Sequence, residues 1–283
     1  MDWNKTKTLT IIFLLLLDCF LGFLIYLERG KYNMDTAQIN TITELLKNNE
    51  IYLNTSVPRS YRPMQQLSMS GYEYDEPELL TMFFGKTSGI ERLPEIEDRI
   101  IYVSGDQTLT LQNGFITFDC PSGTNDMELT LENALMEARA FMPGMGEISS
   151  FVQDTVYIVD EGFRILFCQK YKNNIIYTNY IEFLITEKGI VQIYCKYSRP
   201  KGFSGQLTEL CAVDEALLNF MQLYKDAFDN KPADVRKIDL VFYQKEGSII
   251  DSDSLTAIPH YRIMVYGFES PFLINAYLNR IET

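Results

Sequence analysis

The residues that could do chemistry in this chain are few, and their spacing does not suit them to it. His260 is the single histidine, which excludes a metal site built from several imidazoles and the helical motif that carries two of them. A Ser-His-Asp triad would have to draw on His260, and no G-x-S-x-G elbow accompanies it. Its place after Pro259, at the start of an expected strand, marks it as a surface or packing residue. Gly85, Lys86 and Thr87 imitate the end of a phosphate loop, but the position that needs the first glycine is Leu80. Asp251 and Asp253 resemble the start of a calcium loop, yet the glycine and the bidentate glutamate that complete one do not follow. Carboxylate pairs for glycoside cleavage stay open, since with 38 Asp and Glu residues some pair always falls in range. No catalytic residue, metal or cofactor is therefore expected. Of the five cysteines, Cys19 lies in an apolar run, and Cys120, Cys168, Cys195 and Cys211 show no close pairing. Three of these four sit in apolar or alternating runs, where buried free thiols are expected, with disulfides the alternative outside a cell.

The remaining candidate is an acid inside a hydrophobic segment. Thr8 to Leu27 reads TLTIIFLLLLDCFLGFLIYL, about the 20 residues an α-helix needs to cross a bilayer. A cleaved signal peptide has a shorter apolar core and a small-x-small cleavage site. A lipoprotein signal wants small residues before its cysteine, whereas Leu17 and Asp18 precede Cys19. The segment reads as an uncleaved anchor. Asp18 costs about 2.5–3.5 kcal/mol near the bilayer centre, and its apolar neighbours at roughly −0.3 to −0.6 kcal/mol each outweigh that. Thr10, Leu14, Asp18, Gly22 and Tyr26 share one i, i+4 row, so the carboxyl lies beside a glycine notch. That row is the expected contact with a partner helix. In the alternative, Asp18 snorkels and touches nothing specific. Lys5 and Lys7 nearly match Arg29 and Lys31 across the span. Orientation then follows from a short tail before the span and a long acidic domain after it, which translocates largely regardless of charge. The tail is expected inside the cell and the domain outside.

A formal net charge of −13 argues against nucleic acid as a partner and against anionic headgroups. With 46% hydrophobic and 13% aromatic residues the chain has material for a packed core.

The opening MDWNKTKTLTIIFLLLLDCFLGF resembles the start of YycI proteins, bitopic regulators of the WalK sensor kinase in Gram-positive bacteria. The matching positions are Asp2, Trp3, Lys5, Thr6, Lys7, Thr8, Asp18, Leu21 and Gly22. This covers less than a tenth of the chain; beyond it the likeness is looser. The resemblance implies an extracytoplasmic α+β domain without known catalysis, which modulates the kinase together with a sister protein, YycH.

Past the span, Asp35 to Asn48 carries Ile39, Ile42, Leu45 and Leu46 at helical spacing behind an Asp cap. Residues 54–97 lack sustained periodicity and predict an extended arm or a long loop holding short elements. Tyr72, Glu73, Tyr74, Asp75, Glu76 and Pro77 form either a partner-binding edge or a solvated loop. Strands are expected at 100–103, 108–111 and 115–118, with Asn113 and Gly114 turning the last hairpin. A helix over 129–141 stops at Pro143 and Gly144. Further strands are expected at 155–159, 163–171, 175–186 and 190–197, then a helix over 213–228 and strands at 238–244, 261–266 and 272–277. The order hints at a duplication, with Gly114 to Cys120 matching Gly189 to Cys195, Glu132 to Leu135 matching Asp214 to Leu217, and Phe163 to Leu166 matching Tyr261 to Met264. Chance similarity between α+β segments is the alternative.

The expected fold class is α+β: one amino-terminal transmembrane helix, then an extracytoplasmic domain of two similar subdomains, each an antiparallel sheet with its helix on one face. The expected division is a cytoplasmic tail over 1–7, a transmembrane helix over 8–27, a juxtamembrane helix and first strand over 28–53, and subdomains over 54–145 and 146–283. The function expected is a non-enzymatic, membrane-anchored regulator of a WalK-like sensor histidine kinase acting with a YycH-like protein. Thr10, Leu14, Asp18 and Gly22 are its intramembrane contact. The alternatives are a bitopic assembly protein of the division or export machinery, and a membrane-anchored cell-wall hydrolase.

Overall fold

The structure, a computed structural model, describes residues 3–71, 75–85, 88–96, 98–112, 114–142, 150–229, 231–244 and 255–282. It opens with helix α1 (Trp3–Lys31) and α2 (Thr36–Asn48). Asp35 caps α2 as its sequence suggests, its carboxylate accepting from the Gln38 backbone N–H at 2.7 Å while the Gln38 side chain accepts from the Asp35 N–H at 2.9 Å. Ile42 and Leu46 fill the buried face of α2.

Next come β1 (Ile51–Leu53), β2 (Met64–Ser70), α3 (Glu76–Phe84) and β3 (Glu91–Arg92). The stretch expected as an extended arm or a long loop holding short elements holds a seven-residue strand and a nine-residue helix. Asp75 caps α3, Pro77 sits in its first turn, and Gly85 closes it at φ +66°. Strands β4 (Arg99–Ser104), β5 (Gln107–Gln112) and β6 (Phe115–Asp119) and helix α4 (Leu131–Phe141) follow the expected pattern. So do β7 (Phe151–Val159), β8 (Gly162–Tyr171), β9 (Asn174–Thr186) and β10 (Gly189–Lys196). β11 (Arg199–Thr208), which carries Pro200, Gly202 and Gly205, lies where no strand was expected. Helix α5 (Val213–Phe228) has the expected bounds. β12 (Ala233–Tyr243), β13 (Leu255–Val265), β14 (Phe272–Asn275) and β15 (Arg280–Glu282) end the fold.

The chain divides into two compact units, each assembled from separated segments. A terminal unit comprises Met1–Met64, Leu207–Asp239 and Tyr261–Thr283, and a central unit comprises Gln65–Gln206 and Leu240–His260. The boundary set at 145/146 from the sequence falls within the central unit.

In the central unit an antiparallel sheet runs β7-β8-β9-β10-β6-β5-β4-β3. α4 packs on β8, β9 and β10, so the helix-on-one-face arrangement holds. Alternation along β9 sends Ile181, Phe183 and Ile185 into the core, while Glu182 on the other face pairs with Arg164 at 3.5 Å. Aromatic rings link the layers: Phe83 of α3 meets Phe118 at 5.1 Å and Phe141 at 5.7 Å, and Phe183 meets Phe141 at 5.8 Å and Phe167 at 5.9 Å. The two hairpin arms matched as a duplication are neighbours in this one sheet, with Ile116 opposite Cys195 and Phe118 opposite Ile193. They are therefore neighbours in one sheet of the central unit. The matched helices do fall one in each unit.

In the terminal unit β1 pairs in parallel with the start of β12, Ile51 opposite Ala233 and Leu53 opposite Val235. β14 pairs with β15 and β13. The core of α5 is aromatic. Phe220, Tyr224 and Phe228 meet Phe268 and Phe272 with ring centroids 4.9–6.2 Å apart.

Candidate functional site

The chemistry considered from sequence resolves quickly in three dimensions. His260 lies within β13 and is 1% exposed; its Nδ1 is 3.0 Å from the Ile258 carbonyl oxygen and its ring packs edge-on against Tyr243 at 5.2 Å. It is a core residue. None of the five cysteines is in a disulfide: Cys120, Cys168 and Cys195 are buried, Cys211 is half-buried, and Cys19 is exposed on α1. Burial pushes the Cys195 thiol up to about 12 and that of Cys211 to about 11. Lys86, Thr87, Asp251 and Asp253 of the two imitation loops lie outside the described residues. The same holds for Tyr72, Glu73 and Tyr74 of the acidic tyrosine cluster, for the turn residue Asn113, and for Pro143 and Gly144 after α4.

What stands out is α1. Thr6–Ile25 spans 20 residues, none of them buried, and is long and apolar enough to cross a membrane. Within a folded chain whose other large apolar residues mostly pack inward, that exposed apolar surface is suited to lipid. Thr10, Leu14, Asp18 and Gly22 lie along it at the expected four-residue spacing, and all four are exposed. Thr10 donates its hydroxyl to the Thr6 carbonyl at 2.9 Å, which satisfies that group within the helix. A Cβ built on Gly22 would meet nothing within 4 Å, so the notch beside Asp18 is open on its outer side.

At the end of α1 the helix is stapled to the terminal unit. The Lys31 ammonium donates to the Glu209 carboxylate at 2.9 Å and to the Tyr32 hydroxyl at 3.2 Å, and Tyr32 donates to the same Glu209 oxygen at 2.8 Å. Tyr61 donates its hydroxyl to the Lys31 carbonyl at 3.0 Å and its backbone N–H to the Tyr32 carbonyl at 3.1 Å. Met34 N–H donates to the Arg59 carbonyl at 2.9 Å, and the Tyr32 and Tyr61 rings meet edge-to-face at 6.1 Å. The Glu209 carboxylate and Tyr32 hydroxyl hold the Lys31 ammonium above its ordinary range, and Lys31 and Tyr32 hold Glu209 below its own. Both side chains are mostly exposed, so the ion pair itself adds little stability. The backbone bonds around it fix where α1 ends. This staple had no sequence signal, since Glu209 is 178 residues from Lys31.

A likeness to solved structures extends over most of the chain. An uncharacterised protein from Eubacterium rectale superposes with a TM-score of 0.55 at 10% identity, covering 83% of this chain and 91% of that one, and shares its fold. The C-terminal domain of YpeB from Bacillus megaterium matches at a TM-score of 0.41 and 12% identity over 75% of this chain and 97% of its own. YycH from Bacillus subtilis matches at 0.46 and 13% identity over 77% of this chain and 56% of its own. Neither of these two scores establishes a common fold. No family model and no curated protein matches the chain.

Proposed function

We propose that this chain is a non-enzymatic regulator, held in the membrane by α1 with its tail inside and its sheet-rich domain outside the cell, which acts on a WalK-like sensor histidine kinase together with a YycH-like protein. The observation that carries the reading is the wholly exposed 20-residue apolar surface of Thr6–Ile25, interrupted by one acid beside an open glycine notch. A carboxyl at that depth is costly, and such residues face a partner or a polar path more often than lipid. The resemblance of the opening residues to YycI proteins supplies the kinase and the sister protein. Regulation then requires that the chain bind one kinase conformation better than another, because only differential affinity shifts an equilibrium.

Pull-down of the tagged full-length chain in mild detergent tests this. Recovery of a sensor kinase with the native span, and its loss when an unrelated span replaces it, is the expected result. Asp18→Leu leaves insertion intact, since removing the acid lowers the cost of insertion, and weakens recovery of the kinase. Unchanged recovery with Asp18→Leu removes the intramembrane contact. Recovery of division, export or wall-synthesis proteins without a kinase replaces the regulator with the assembly role.

A further inference from the structure

We propose that the groove between α2 and α5 seats an amphipathic helix, basic at one end, from the membrane-adjacent segment of another membrane protein. It rests on the reading of α1 as an anchor and not on the identity of the kinase.

The groove encloses about 320 Å³ and lies wholly within the terminal unit. The two helices run side by side in the same direction. Asp35 and Asp214 line the groove together at their amino-terminal ends, and at the other end the Lys225 ammonium donates to the Asn49 side-chain oxygen at 2.7 Å. Ala37, Thr41 and Leu45 form one i, i+4 row on α2, and Leu218 faces them from α5. Leu45 and Leu218 are each 39% exposed, although both line an apolar trough. Small side chains at Ala37 and Thr41 let a third helix approach closely, and the two leucines offer the contact that a helix reads at three- and four-residue spacing.

Charge selects among helices. Two helix amino-termini contribute roughly half a positive charge each. Against them stand the two lining carboxylates and Glu215 in the first turn of α5, an excess of about two negative charges. An acidic partner is repelled there and a Lys or Arg is attracted. Position selects the source. Asp35 follows the end of α1 by four residues, so at most about 25 Å of chain separates the acidic end of the groove from Ile25 at the end of the apolar span. The helices most available at that distance are those which themselves enter or leave the bilayer.

The test is site-specific photo-crosslinking of the full chain in its own cells. Benzoylphenylalanine is placed at Thr41, or at Met136 on α4 as a control exposed elsewhere, and the residues joined are read by mass spectrometry. The expected product at Thr41, and not at Met136, is a helix-forming segment of another membrane protein close to one of its spans, with apolar residues at three- and four-residue spacing and Lys or Arg at one end. Asp214→Lys lowers its yield at least about ten-fold, and Leu218→Glu does the same without moving the thermal midpoint. A product with lipid, with a second copy of this chain, or with an acidic or non-helical segment overturns the proposal, as does no product at all. Alkaline extraction of the same membranes reads the anchor separately: release of the chain refutes the anchor, while the crosslink alone decides the groove.

Discussion

Two buried residues set the steepest dependences. Arg262 of β13 has a fully buried side chain, held by Asp239 of β12 through Nε at 2.8 Å and Nη2 at 2.6 Å, a two-point pairing of guanidinium and carboxylate. Asp239→Ala leaves that charge in the core, and we expect a loss of about 3 kcal/mol in urea denaturation. Cys195 sets a dependence on pH. Its folded thiol holds its proton up to about 12, whereas the unfolded thiol ionises near its ordinary 9.0. The unfolded state therefore loses its proton first, and this contribution to stability, intact below pH 9, is lost as pH rises from 9 towards 12. Burial of Tyr261 adds a similar loss above its ordinary 10.0. Denaturation of Cys195→Ala at pH 8 and at pH 10.5 is expected to show the gap to the native chain narrowing as pH rises. None of this was visible in the sequence beyond the expectation of free thiols, because burial and pairing depend on which strands become neighbours.

Among the elements, periodicity located α2, α4, α5 and most strands to within a few residues. Local spacing reports which face of a segment is apolar, and that face is what becomes buried. It failed where breakers and caps had to be weighed against each other, as in α3 and β11. It also could not tell that β6 and β10 pair with each other, since two strands of like pattern are equally good partners for many others until turns and packing choose. One such choice is visible at Gly123, which lies at φ +77° where a Cβ would stand 1.9 Å from the Lys188 carbonyl oxygen. The same turn is joined to the β9–β10 turn by Asn125 N–H to Lys188 O at 3.1 Å and by Ile190 N–H to the Thr124 hydroxyl at 3.0 Å. Gly114 has a similar φ of +78° with nothing within 4 Å. Gly114→Ala is expected to cost about 1 kcal/mol, the strain of a left-handed residue, and Gly123→Ala at least about 2 kcal/mol because a backbone must also move. Thermal melts of the two variants separate strain from collision.

For the whole molecule, the staple at Lys31 joins α1 to its unit, so any displacement of α1 also strains the bonds around residues 59–61. Glu209→Lys places two ammonium groups together, and hydrogen exchange is expected to quicken at the Met34 and Tyr61 amides; exchanging both charges, Lys31→Glu with Glu209→Lys, restores the slow rates. The long apolar helix, its acid and glycine row and the α+β class were determined by the sequence alone, because each depends on residue type and on spacing within one helix or strand. The assembly of each unit from separated segments, the parallel pairing of β1 with β12, the staple and the acidic groove between α2 and α5 were decided only by the tertiary structure. Each joins residues far apart in the chain, and their pairing follows from the burial and hydrogen bonding of the complete fold, which no local period encodes.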